Sequence, residues 1–151
     1  MRRKDREITD RADIESILHE ATVCRIALAD GGEPYIVPLS FGYEDGSVYI
    51  HPAPEGKKIA MLKKNPCCCF EVDICDQVIR GDRPCSWGMR YRSVIGYGRA
   101  EILKDAEGKK YGLNCIMQHY GSGILEFSEQ DIGSVAVIRI TIESMTGKKH
   151  D

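Results

Sequence analysis

The chain has 151 residues, 42% of them hydrophobic and 29% charged, which is the size and balance of one soluble domain with a core of its own. A formal net charge of −2 removes the global basic field that nucleic-acid binding draws on. No apolar run approaches the ~20 residues of a membrane span, and "MRRKDREITD" has no hydrophobic segment behind it to act as a secretory signal. The expectation is a cytoplasmic protein with neither a membrane nor a nucleic-acid partner.

The first predicted element is a helix over residues 10–21. Ile14, Ile17, Leu18 and Ala21 fall on one face, and Asp10 is placed to cap it. A run of β signals follows. "TVCRIALA" (22–29) leads through the turn-rich "DGGEP" into "YIVPLSFGY" (35–43), and "EDGS" then turns the chain into "VYIHP" (48–52), a predicted hairpin. Pro38 inside the second of these runs predicts a broken ladder, at an edge or a bulge, with backbone groups free for another partner.

A second helix is predicted from Pro54 to Lys64, with Pro54 in its first turn and Pro66 stopping it. "CCCFEVDICDQVI" (67–79) alternates as a strand, with Cys68, Phe70, Val72 and Ile74 on one face and Glu71 and Asp73 on the other. "RSVIGYGRAEIL" (92–103) reads as another long strand, whose Gly96 and Gly98 share a face and permit strong coiling or close approach. A third helix over 105–120 carries Leu113, Ile116, Met117 and Tyr120 at helical spacing. A last strand, "SVAVIRITIESM" (134–145), puts Ala136, Ile138, Ile140 and Ile142 on one face. There is no repeat and no linker, so residues 1–151 form a single domain. Six strands with hairpin-like links and helices between them predict a mainly β fold, a closed or nearly closed antiparallel barrel with peripheral α-helices.

The seven cysteines include no C-x-x-C pair. Cys67, Cys68 and Cys69 sit on a strand whose successive side chains point to opposite faces, so they do not converge on one tetrahedral ion, and no metal is expected. There is no G-x-S-x-G, no G-x-G-x-x-G and no G-x-x-x-x-G-K-[ST], which argues against a serine hydrolase of that type and against Rossmann or P-loop nucleotide binding.

What remains is the corner "YIHPAPEGKK" (49–58). Lys57 and Lys58 on a helix are most often a solvated face. Lysine near a helix N-terminus opposes the macrodipole, however, whereas a bound phosphate would use both the lysines and the free N–H groups, with Gly56 allowing close backbone approach. His51, six residues before Lys57, is either a hydrogen-bonded surface histidine or a neighbour of the same anion. Trp87, Tyr91 and Arg92 in "CSWGMRYRSV" are either loop and strand-end residues or an aromatic wall and guanidinium for a planar anionic ligand.

Taken together, "MRRKDREIT", "PYIVPLSFGYEDGSVYIHPAPEGKKIAMLKKNP" and "YRSVIGYGRAEIL" resemble the flavin-binding split-barrel proteins related to pyridoxamine 5'-phosphate oxidase, and most of all their nitroimidazole-resistance (Nim) branch. The resemblance runs from Met1 to about Gly147. It implies a six-stranded split β-barrel, a homodimer, and FMN held in a groove at the dimer interface. Residue by residue, it implies that the "IVPLS" run, with Val37, Pro38, Leu39 and Ser40, meets the isoalloxazine edge. Lys57 and Lys58 stand in the place of the phosphate clamp, Ile50 and His51 lie beside the flavin, and Tyr91, Arg92 and Ser93 border it. His51 becomes the candidate catalytic residue. The implied activity is FMN-dependent reduction of small electron-poor organic compounds, with nitroimidazoles as the example. The alternative is a flavin- or haem-binding protein without dedicated turnover. The chain finishes "IRITIESMTGKKHD" where pyridoxamine phosphate oxidases carry an arginine-rich extension, which turns the expectation away from vitamin B6 oxidation.

Overall fold

In the computed structural model, which describes residues 3–150, Asp10 heads helix α1 (Arg11–Glu20) and its carboxylate accepts the N–H of Ala12. The outermost residues of the predicted domain, Met1, Arg2 and Asp151, lie outside the described residues. Ile14, Ile17 and Leu18 face inward from α1, as their spacing predicts. Ahead of it, a short strand β1 (Glu7–Ile8) follows a single 3-10 turn. Strands β2 (Cys24–Asp30) and β3 (Glu33–Leu39) form a hairpin around Gly31 and Gly32, at φ 57° and 90°. Strands β4 (Gly42–Glu44) and β5 (Ser47–Ile50) form a second around Asp45 and Gly46, at φ 47° and 72°. Both are two-residue turns with positive φ at each central position, the geometry that matches strand twist.

Helix α2 (Lys57–Lys64) leads into the long pair β6 (Cys67–Ile79) and β7 (Gly88–Ile102). Helices α3 (Ala106–His119) and α4 (Glu129–Ser134) precede the last strand, β8 (Ile138–His150). The sheet is antiparallel throughout, in the order β3-β2-β6-β7-β8-β5-β4, with β1 added on β8. One face of nearly every strand feeds a single core: Ile26, Val48, Ile50, Phe70, Val72, Val94, Ile138 and Ile140 are all fully buried in it, together with Ile17 and Leu18 of α1. A sheet whose strands all bury one face in one cluster must curl around it, and the two ends of the order, β3 and β4, are the edges of that curl. A second cluster packs α3 and α4 on the other side of β5 and β8, through Tyr49, Leu113, Ile116, Ile132 and Val137. β5 is therefore buried on both faces. Among the described residues, no helix is long and apolar enough to cross a membrane.

The mainly β antiparallel fold with peripheral helices is as expected, with eight strands among the described residues instead of six. The run 35–43 divides into β3 and β4. The N–H of Phe41 is taken by the hydroxyl of Tyr120, and Gly42 is pressed against the backbone of α3 at Cys115. Pro38 breaks no register: it pairs opposite Arg25 in an uninterrupted ladder, and it is tolerated because β3 is an edge strand. Helix α2 begins at Lys57, three residues late, because Gly56 at φ 115° turns the chain in a conformation other residues resist. β7 starts four residues early, at Gly88. The segment from 134 is strand only from Ile138 and then runs to His150. Before it lies α4, with the reciprocal cap of Ser128 and Asp131, a helix that strand alternation does not reveal. Gly96 and Gly98 do serve close approach: the Phe70 ring occupies the space a side chain at 96 would need, and the Thr141 carbonyl does so at 98.

His119 ties α3 to the end of α1. Its Nε2 lies 2.7 Å from the Ala21 carbonyl, and its ring packs 4.4 Å from that of Phe41. Burial lowers its pKa, outweighing the opposite effect of the Ala21 carbonyl. A histidine with a depressed folded pKa binds its proton more readily when unfolded, so its contribution is complete above the unfolded value near 6.5 and declines as pH falls below it. The melting temperature should therefore drop between pH 7 and pH 5.5, and His119→Phe should flatten that part of the profile. An unchanged slope in the variant would assign the dependence elsewhere.

Candidate functional site

Helix α2 presents an open N-terminus. Gly56 has no side chain to cap it, and the first bond within the helix runs from the Ala60 N–H to the Gly56 carbonyl, behind the N–H groups of Lys57, Lys58 and Ile59. Lys57 Nζ donates to Glu33 Oε1 at 2.6 Å and lies 5.0 Å from the centre of the Tyr35 ring, so it leans on the hairpin end of β3. Lys58 is half-buried, and burial alone lowers its pKa. Among the described residues no hydrogen bond or ion pair answers its charge. A cation held out of water beside uncapped N–H groups is a ready receptor for an anion.

From this point β3 leads away along its edge. Tyr35, Val37 and Leu39 are half-buried, Tyr35 and Leu39 against the core, while Ile36, Pro38 and Ser40 are exposed on the other face. Tyr35 to Leu39 spans about 14 Å at ~3.4 Å per residue, so the lysines and Ser40 stand at opposite ends of one elongated strip. Ile50 is fully buried and its side chain belongs to the core.

His51 stands elsewhere. It is half-buried in the wall of a cleft of about 380 Å³, facing Leu113 of α3, Leu125, Phe127, Val135 and the carboxyl-bearing Glu126 and Asp131. Neither Lys57 nor Lys58 lines that cleft. Tyr91, Arg92 and Ser93 occupy the start of β7, opposite Cys75, Ile74 and Asp73 of β6 and His150, Lys149 and Lys148 of β8. Burial pushes the Tyr91 hydroxyl up, but Lys148 and Arg6 donating to it bring its pKa below the ordinary value. Arg92 donates to Glu20 Oε1 at 2.8 Å and lines a second cavity, of about 370 Å³, with Glu7, Asp10, Asp13 and Lys149. Leu39, Cys24, Val72 and Val94 lie in one row across the sheet, so β3 and β7 are three strand spacings, about 14 Å, apart.

The chain thus holds the sequence candidates in three places: the α2–β3 strip, the His51 cleft and the start of β7. Sequence reasoning missed the partners that define the first two. Nothing local signals that Glu33 reaches Lys57, whereas "SEQD" at 128–131 is a legible cap that would have announced α4 and the wall it builds. The outer face of the sheet is mixed: Ile36 and Tyr97 are 62% and 58% exposed and occupy one row through Ala27 and Cys69, while the next row runs from Pro38 to Ile95 through Arg25 and Glu71, which are ion-paired to each other.

The comparisons with known proteins agree with this architecture. The profile of the family described as pyridoxamine 5'-phosphate oxidase matches residues 10–149. Among solved structures, a protein from Bacteroides thetaiotaomicron described as a candidate 5-nitroimidazole antibiotic resistance protein is 36% identical. The match covers 94% of this chain and 85% of that one, with a TM-score of 0.84. An FAD-binding protein from Mesorhizobium loti is 27% identical over 97% of this chain and 98% of its own, with a TM-score of 0.72. A flavocytochrome from Azotobacter vinelandii shares the fold at 21% identity and a TM-score of 0.87, over 100% of this chain and 72% of that one. No curated protein matches the sequence. With the match extending over nearly all of the split-barrel sheet and its helices, the chain belongs to the pyridoxamine 5'-phosphate oxidase family.

Proposed function

We propose that the protein is an FMN-dependent oxidoreductase that reduces small, planar, electron-poor organic compounds, nitroimidazoles among them, and that it works as a homodimer. The observation that carries this reading is Lys58: a half-buried, unanswered ammonium in the first turn of an uncapped helix, beside Lys57, in a family whose relatives include flavin binders. Lys57, Lys58 and the N–H groups ahead of Ala60 would hold the FMN phosphate, and the exposed edge of β3 from Val37 to Ser40 would face the ring system. When bound, the flavin supplies the hydride or electron chemistry. The protein's share is to fix its orientation, exclude water and place His51, a residue type that exchanges a proton near neutral pH, at the cleft where a small substrate fits. The exposed apolar side chains Ile36, Ile95 and Tyr97 on the outer face support pairing with a second copy, which would bring Tyr91, Arg92 and Ser93 of one protomer toward the strip of the other.

The test is spectroscopic. Purified protein should take up FMN, and a nicotinamide donor should bleach the bound flavin in the absence of oxygen. Adding a nitroimidazole should then restore the oxidised spectrum. A flavin that stays oxidised with every donor would make the protein a flavin carrier. Within this reading, His51→Ala keeps FMN affinity and slows reduction per bound flavin by at least the roughly hundredfold that a positioned proton donor contributes. A variant that melts earlier while keeping its rate per flavin would make His51 structural.

A further inference from the structure

The walls of the His51 cleft are set by α4 and by the segment that leads into it. Asn114 of α3 holds that segment from both sides: its Nδ2 donates to the Leu125 carbonyl at 3.1 Å, and its Oδ1 accepts the Leu125 N–H at 2.7 Å. Glu126 is thereby anchored at the rim while its own side chain stays exposed, and among the described residues no hydrogen bond or ion pair engages its carboxylate. Asp131 is fixed by the cap of α4. Its Oδ2 accepts from the Ser128 hydroxyl at 2.7 Å and from the Ser128 N–H at 2.8 Å, and these two donors lower its pKa and hold it as a carboxylate.

Apart from His51 itself, the rest of the lining is apolar or uncharged: Leu113, Leu125, Phe127, Ser134 and Val135. Among the described residues no lysine or arginine lines the cleft. Lys109 is outside it, with its ammonium donating to the Ile132 and Val135 carbonyls at 2.8 and 3.2 Å, at the C-terminal end of α4. A volume of about 380 Å³ is at the small end of ligand sites, suited to a compound of one or two rings. Apolar walls accept a flat ring, and the two carboxylates decide what that ring can carry. A carboxylate brought here would lose water and meet like charges, whereas a cation would meet two acceptors.

We propose that the cleft selects flat aromatic compounds bearing a cationic group, an amidinium or ammonium, admits neutral ones and turns carboxylates away. The cationic group lies against Glu126 and Asp131 at the rim, and the ring lies against Leu113, Phe127 and Val135. Glu126 is the residue that sets the preference, because its carboxylate has no other partner, while Asp131 also serves the fold. This rests on the reading of the cleft as the substrate site and names the class of compound it takes.

Para-nitrobenzamidine, para-nitrobenzamide and para-nitrobenzoate share one flat ring and step in charge from positive through neutral to negative. Their binding, followed by ligand-observed NMR, should weaken in that order. The amidine should bind about tenfold more tightly than the benzoate, since each partly exposed carboxylate adds a modest attraction for one and a matching repulsion for the other. Added salt should narrow the gap. Glu126→Gln should narrow it too, and Glu126→Lys should close or reverse it. Glu143→Lys makes the same change of net charge from an exposed position on β8 outside the cleft, and it should leave the preference as it was. Equal binding of the three probes overturns the inference, as does no binding at all, or a preference that survives Glu126→Lys. Binding needs neither flavin nor turnover. Graded binding in protein that reduces none of the probes with FMN and a nicotinamide donor would keep the selection and remove the oxidoreductase reading. Reduction of all three probes with one kcat/KM would do the reverse.

Discussion

Replacing both Lys57 and Lys58 with Ala should weaken FMN at least tenfold while leaving riboflavin almost unaffected. Riboflavin has the ring and ribityl chain but no phosphate, so the ratio of the two affinities isolates the anion. Each charge-assisted hydrogen bond is worth about 1.5–3 kcal/mol, and the loss of two such bonds would lie well beyond tenfold. Lys57 already donates to Glu33, so turning to a phosphate costs it that pair, an exposed one of small value. Lys58 gives up nothing and gains a counter-ion, which makes Lys58→Ala the more damaging single change. The pH dependence carries the same signature. Burial holds the Lys58 pKa down in the free protein, and a bound phosphate would raise it. FMN affinity should accordingly decline as pH rises through the free protein's Lys58 pKa, and the decline should disappear in Lys58→Ala. Equal losses for FMN and riboflavin would remove both lysines from the phosphate site.

Gly42→Ala should be strongly destabilising for the addition of a single methyl group. A Cβ at position 42 would sit 2.5 Å from the carbonyl carbon and oxygen of Cys115 and 2.7 Å from the N of Ile116, all of them backbone atoms of α3. Flexible side chains yield to an added methyl, but a helix backbone yields only by moving as a body. Here that motion would pull α3 off Tyr49 and Val137 and open the second cluster. Overpacking of this kind costs about 3 kcal/mol, roughly 10 °C in melting temperature for a domain of this length. Gly123→Ala is the control: nothing lies within 4 Å of the place its methyl group would take, and its stability should stay within about 0.5 kcal/mol of the parent. Similar melting temperatures for the two variants would show that α3 is not seated on β4 through this glycine.

The long elements were legible because their signals are local and repeated. The alternation of Cys68, Phe70, Val72 and Ile74 marked β6 over its whole length, Cys67–Ile79, Asp10 marked the head of α1 as the cap it is, and the predicted start at 105 falls on the residue that caps α3. The α2 corner was legible in kind: the glycine, the lysine pair and the proline stop all appear in the sequence, although Gly56 moved the helix start three residues on. The break between β3 and β4 was not legible, because it depends on Tyr120 taking the Phe41 N–H across 79 positions of sequence. Nor was the company each candidate residue keeps.

By itself, then, the sequence determined the class of the fold, the order of most of its elements and the lysine-bearing helix start, since periodicity, caps and turn residues act over a few positions. Only the tertiary structure decided which of those places meet. It set Lys57 on Glu33, put His51 in a cleft with Phe127 and Leu125, and kept the start of β7 three strands from β3. The physical reason is that sheet order is chosen by burial of one shared core, among strands as far apart in the chain as Glu7 and Lys148, and no local pattern encodes that choice.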